Sequence, residues 1–196
     1  VENKLDSNYW DQRWINGQTG WDIGYASPAL VEWVKHFGNK TAKILIPGCG
    51  NAYEAEALAL LGFENILLLD ISPTAVENIQ KRVGHFATVQ CICADFFSLN
   101  EKVDVILEQT FFCALDPVLR TPYVEQCAAL LNPGGWLSGV LLASPFDAPG
   151  PPFGGRREEY IELFSKHFEC VKMEPCYNSI PPRAGNELFI SLKKHC

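Results

Sequence analysis

Four apolar runs constrain this chain most: residues 43–46, 66–69, 103–107 and 136–142 are each short, nearly uninterrupted and bounded by turn residues. Runs of this length suit strands buried on both faces, as in a parallel sheet, better than half-exposed alternating strands. The segments between them carry helix signals. Ser72 and Pro73 read as N-cap and first helical residue, Val76, Ile79 and Val83 form a stripe, and Gly84 ends it. Ser27-Pro28 opens another helix, with Leu30, Trp33, Val34 and Phe37 on one face, and a third spans 52–61 and stops at Gly62. Strand and helix in alternation imply right-handed crossovers and a doubly wound α/β sheet with helices on both faces, an architecture that handles nucleotides. The C-terminal runs 170–174 and 188–192 have no helix between them and predict an antiparallel hairpin that closes the sheet. The Pro- and Gly-rich stretch 147–155 reads as a surface loop or lid.

At 196 residues the chain is sized for one domain, spanning 1–196. Its 16 Lys+Arg against 23 Asp+Glu give a net charge of −7 without a basic stripe, which argues against nucleic acid. The stretch 136–146 is interrupted by serines, a glycine and a proline and falls short of the ~20 residues of a membrane span. No charged-then-apolar leader opens the chain, and Val1 in place of Met suggests a trimmed start; the expected setting is a cytoplasmic monomer acting on a small molecule. The eight cysteines sit in a domain large enough to do without disulfides and read as reduced thiols. No Cys-x-x-Cys pair occurs and the four histidines lack ligand spacing, so no metal is expected; no Gly-x-Ser-x-Gly elbow supports a hydrolase.

The chemistry concentrates at Pro47-Gly48-Cys49-Gly50, a strand running through glycines into a helix. Glycines there let backbone N–H groups approach a ligand at a sheet's switch point. A dinucleotide turn places a third glycine three residues after the second; here that position is Tyr53, which favours an adenosine ligand without phosphates, with S-adenosylmethionine the common candidate. Asp70 follows Gly50 by 20 positions, where a carboxylate accepts from ribose hydroxyls; the competing role is a turn or cap residue, and Ser72 fits the cap better. Asp95, beside Phe96 and Phe97, reads equally as an adenine contact or as a loop aspartate next to core aromatics. Trp10 and Trp14 share a helical face and Trp21 follows. They read either as an aromatic anchor or as indole faces around a sulfonium, with residues 1–38 forming a helical lid.

Six motifs, in order, then carry a resemblance over about residues 9–194: Trp10-x-x-x-Trp14 with Trp21-Asp22, Pro47-Gly-Cys-Gly, Leu69-Asp-Ile-Ser, Phe111-Phe-Cys-Ala with Pro117 and Arg120, Gly150-Pro-Pro-Phe, and Ser179-Ile-Pro-x-Arg183-x-Gly185. The chain resembles the thiopurine S-methyltransferase family, and within it the thiol and halide methyltransferase branch. That resemblance implies a seven-stranded Rossmann-like fold and cofactor contacts at Trp10, Trp14, Trp21, Gly48, Asp70, Asp95, Phe96 and Gln109, with Gly50 and Ile71 alongside. It also implies Gln109 and Arg120 as catalytic candidates and Trp21, Phe112, Arg120 and Phe153 as acceptor contacts. The plant enzymes carry tyrosine and the thiopurine enzymes arginine where this chain has Gln109. For Arg120 the residue-level alternative is a solvated charge on a helix beginning near Asp116. The reaction implied is an in-line displacement at the sulfonium methyl by a thiol, bisulfide, thiocyanate or halide. Two other classes stand beside it: a cofactor-binding regulator without turnover, and a nicotinamide-dependent oxidoreductase, which Tyr53 and the tryptophans oppose.

Overall fold

Neighbouring residues of one strand point into different cores, and this alternation explains why the apolar runs are continuous. The computed structural model describes residues 4–144 and 149–195; positions 145–148, which include the start of the expected loop at 147–155, lie outside the described residues. The strands β1 (Lys43–Pro47), β2 (Asn65–Asp70), β3 (Val89–Cys93), β4 (Val103–Gln109), β5 (Leu131–Leu142), β6 (Phe168–Pro175) and β7 (Glu187–Lys194) form one sheet in the order β3-β2-β1-β4-β5-β7-β6. The pairs within β1 to β5 are parallel, and β7 runs antiparallel to both β5 and β6. The fold class expected from the sequence is the one observed, C-terminal hairpin included.

Leu45, Leu67, Leu69 and Ile106 face one core, shared with Val124 and Cys127 of α5 (Arg120–Leu130) and Tyr160 and Phe164 of α6 (Arg157–Ser165). Ile44, Ile46, Ile66 and Leu68 face the other, shared with Leu30 and Val34 of α2 (Pro28–Phe37), Leu58 of α3 (Tyr53–Leu60) and Ile79 and Val83 of α4 (Pro73–Val83). Each of these buried aliphatic side chains stabilises the fold by about 1.5–3 kcal/mol, so a polar residue at 44–46 or 66–69 meets a core on either face.

Local signals account for most helix ends. The Ser72 hydroxyl accepts from Ala75 N at 3.1 Å, Pro73 opens α4, and α2 stops at Gly38 with φ 79°. α3 starts one residue later than expected because Ala52 is left-handed (φ 50°, ψ 44°). β5 starts at Leu131, five residues before the apolar run, because a register shift between Val103 and Val105 accommodates Pro133-Gly134-Gly135. α6 carries its own signal in the buried pair Tyr160 and Phe164, one helical turn apart. The placement of α2 in the core corrects the expected lid at 1–38: only the segment ahead of α2, with α1 (Ser7–Ile15), is free of the core, and α1 has no buried residue.

The chain leaves β1 toward β2 on one side and β4 toward β5 on the other, so a crevice opens at the carboxyl ends of these adjacent strands.

Candidate active site

A cavity of about 1610 Å³ occupies that crevice. A pocket for one drug-sized ligand measures roughly 300–1,000 Å³, so there is room for two molecules side by side.

Its floor is the glycine turn. Gly48 and Gly50 have φ of +55° and +53°, and a Cβ on Gly48 would lie 2.3 Å from Phe111 Cδ2. A Cβ on Gly50 would lie 3.7 Å from Trp14 and 3.9 Å from Trp21 Nε1. The Phe111 ring thus rests on bare backbone at Gly48, and the left-handed φ at both positions favours glycine. Asp70, 7% exposed, ends β2 beside this turn; its carboxylate accepts from Gly50 N at 3.1 Å and from Ser72 N at 3.0 Å. Burial pushes its pKa up, and those backbone donors oppose the shift. Two carboxylate oxygens offer about four acceptor sites, so capacity remains for a ligand's hydroxyls. Asp70 is both a turn residue and a cavity wall, while Ser72 is the cap, as expected. Asp95 likewise combines two roles: it accepts from Phe97 N at 3.0 Å and lines the cavity with Ile71 and Phe96.

The roof is the N-terminal segment. Trp10, Trp14 and Trp21 line the cavity, half-buried, with Trp21 edge-on to Trp10 at 5.5 Å and to Trp14 at 5.9 Å. Polar contacts fasten this roof: Ser7 Oγ donates to Ile71 O at 2.8 Å, and Arg183 Nη2 donates to Trp21 O at 2.9 Å. Asp22 accepts from Asn51 Nδ2 and from the Tyr53 hydroxyl at the start of α3. A carboxylate thus stands at the helix N-terminus where a dinucleotide's pyrophosphate would bind, which disfavours phosphate there.

Three expected residues are not part of the wall. Phe112 is 1% exposed and packs on Tyr123, Tyr160 and Phe164, so it belongs to the core. Arg120 is neither solvated nor a cavity residue: Nη2 donates to Gly154 O at 2.7 Å and Phe153 O at 3.4 Å, and its guanidinium lies over Phe112 and Tyr160. Arg120 instead holds Phe153, which does line the cavity. Gln109 is half-buried with Oε1 unpartnered, and the following Thr110 (φ 60°) and Phe111 form the wall in its place.

Sequence reasoning missed Glu108. It is fully buried, accepts from Phe111 N and Phe112 N at 2.8 Å each and from the Tyr123 hydroxyl at 2.7 Å, and burial raises its pKa to about 7. A carboxylate placed directly after the buried apolar run Val105-Ile106-Leu107 was the available signal. Cys113, Arg13 and Arg183 also line the cavity. Burial pushes the Cys113 thiol up to about 12, which keeps it protonated.

Residues 5–188 match the family model for thiopurine S-methyltransferase. The chain belongs to the thiopurine S-methyltransferase family. It is a methyltransferase of a family that uses S-adenosylmethionine. Among curated relatives, the probable thiol methyltransferase 2 of Arabidopsis thaliana is 33% identical, with 96% of this chain and 85% of that protein covered. Thiocyanate methyltransferase 1 of Brassica oleracea is 31% identical, covering 97% of this chain and 86% of the relative. Among solved structures, the Burkholderia thailandensis 1,6-didemethyltoxoflavin-N1-methyltransferase with bound 1,6-didemethyltoxoflavin and S-adenosylhomocysteine shares the fold. It superposes with a TM-score of 0.77 at 19% identity, covering 97% of this chain and 87% of that one. The site of this thiopurine S-methyltransferase family member suits the cofactor: a buried carboxylate stands beside a glycine turn that a side chain would obstruct, under a roof of indoles.

Proposed function

We propose that this methyltransferase moves the methyl group of S-adenosylmethionine to a small soft nucleophile of the thiol class, extending to bisulfide, thiocyanate, halide and aromatic thiol. One observation carries the reading: the cavity joins a carboxylate-floored, tryptophan-roofed end to a largely apolar end, whose carboxylate among the described residues, Asp116, accepts from Val118 N and so caps its own turn. Leu115, Leu119, Pro151 and Phe153 line the apolar end, where Cys113 stays a thiol and Glu108, the group poised near neutrality, is sealed beneath the wall. A nucleophile that arrives as an anion needs no base, and an apolar wall strips the water that would otherwise dull it.

The cofactor supplies an electrophilic sulfonium methyl when bound. In this reading Asp70 accepts from the ribose hydroxyls, Asp95 and Phe96 receive the adenine, and Gly48, Gly50 and Ile71 give backbone contact. Trp10, Trp14 and Trp21 face the sulfonium, a cation attracted to each ring by about 0.5–2 kcal/mol. Phe153 forms an acceptor wall, Arg120 and Phe112 act on the acceptor only by supporting Phe153, and Gln109 shapes the turn nearest the transfer. The seven described cysteines are all free, which supports a reducing, cytoplasmic setting.

The test is calorimetry with S-adenosylmethionine on Asp70→Ala. Loss of charge-assisted hydrogen bonds predicts binding weaker by about 1–3 kcal/mol. Unchanged affinity contradicts the assignment.

A further inference from the structure

We propose that Arg13 binds the carboxylate of the cofactor's amino-acid portion; this rests on the function proposed above. Arg13 sits on α1 three residues after Trp10 and one before Trp14, at the rim of the same roof. Its guanidinium lies over the rings of Tyr9 at 5.6 Å and Trp21 at 6.0 Å, and the residue lines the cavity. It makes no ion pair among the described residues, and its Nε is buried without a hydrogen-bond partner.

A helix-surface arginine ordinarily extends its head into water, where every N–H is hydrated. Arg13 instead buries its Nε without a partner beside Tyr9 and Trp21 at the cavity, and most buried donors in native proteins have partners. The chemistry of the missing partner follows from charge. S-adenosylmethionine carries a sulfonium, an ammonium and a carboxylate; a guanidinium repels the first two and matches the third, which its planar fork can grip with two hydrogen bonds. Asp70 and Asp95 serve the adenosine portion, which leaves the amino-acid portion for the wall around Trp21. An anionic acceptor has the same chemistry as a carboxylate, so the experiment separates the two sources.

Calorimetry on wild type, Arg13→Gln and Arg13→Lys uses S-adenosylmethionine, S-adenosylhomocysteine and decarboxylated S-adenosylmethionine, with thiocyanate KM measured in parallel. Arg13→Gln is expected to bind the two carboxylate-bearing ligands about tenfold more weakly and the decarboxylated one as wild type does, with Arg13→Lys in between. The unfolding midpoint and the thiocyanate KM stay unchanged. Equal losses for all three ligands overturn the proposal and make Arg13 a support for the roof. A raised thiocyanate KM with unchanged cofactor affinity overturns it in favour of the acceptor. Wild type that binds S-adenosylmethionine, with Arg13→Gln binding equally well, overturns the Arg13 assignment alone; wild type that does not bind it overturns the proposed function as well.

Discussion

The Asp11 carboxylate accepts a 2.6 Å hydrogen bond from the Ser72 hydroxyl, and the same oxygen accepts from Thr74 N at 2.9 Å, so a residue of the first helix caps the fourth. These bonds hold the Asp11 pKa below the usual carboxylate range, the Ser72 hydroxyl contributing most. α1 has nine residues and no buried side chain, and a helix that short is marginal by itself in water. Its position over the cavity therefore depends on such contacts. Asp11→Ala is expected to weaken S-adenosylmethionine binding by about tenfold and to speed tryptic cleavage after Arg13, with little change in the unfolding midpoint of the core. Because the folded-state pKa is depressed, the contribution is present above the unfolded value and is lost as pH falls through the folded one. Wild-type affinity should therefore fall toward that of the variant only in acid.

Glu108 has the opposite sign. Its folded-state pKa of about 7 lies above the unfolded value, so the fold favours the protonated acid, and that stability is lost as pH rises from the carboxylate range through 7. A glutamine side chain at this position would keep an acceptor for Phe111 N and Phe112 N without titrating. Between pH 5 and pH 8, wild type should lose about 2–3 kcal/mol relative to Glu108→Gln in denaturant unfolding. A difference that does not vary with pH contradicts the assigned ionisation.

The two glycines of the turn should respond differently to alanine. At Gly48 a methyl group would lie 2.3 Å from the Phe111 ring, so Gly48→Ala is expected to lower stability by about 1–3 kcal/mol through overpacking and left-handed strain. At Gly50 the nearest atoms are 3.7 Å away, so the stability cost is backbone strain alone, about 1–2 kcal/mol. Its methyl group narrows the floor beneath Trp14 and Trp21, so cofactor affinity should drop further than stability does. Thermal unfolding and calorimetry on both variants make the comparison.

Arg120 reaches the acceptor end only through the carbonyls of Phe153 and Gly154. Arg120→Ala is expected to raise the acceptor KM several-fold while leaving cofactor affinity within about twofold, because that variant loosens one wall without touching the roof or floor. Steady-state kinetics with calorimetry on the same sample check this; an equal effect on both ligands contradicts it.

What could be read before the structure was local. Ser72, Pro73 and Gly84 delimit α4 because caps act within one turn, and Ile44-Leu45-Ile46 announces a strand because both its faces are buried. Gly48, Gly50 and Asp70 were legible because a strand, its turn and the next strand's end are brought together by parallel pairing alone. Arg120 was not. Its position on the helix is local, but its direction is set by carbonyls 33 and 34 residues away in a loop whose path is tertiary. The early start of β5 and the inward turn of Phe112 depend in the same way on β-sheet register and on Glu108. Glu108 had a readable signal, an acid that directly follows the apolar run Val105-Ile106-Leu107 in β4.

Methyl transfer is read most directly by product detection from the purified protein and S-adenosylmethionine, offered bisulfide, thiocyanate, iodide and an aromatic thiol in separate reactions. Cofactor-dependent methylation of at least one of the four is expected, abolished or sharply reduced in Asp70→Ala. Tight cofactor binding by calorimetry with no methylated product from any of them would contradict the proposed function and identify a cofactor-binding protein without turnover.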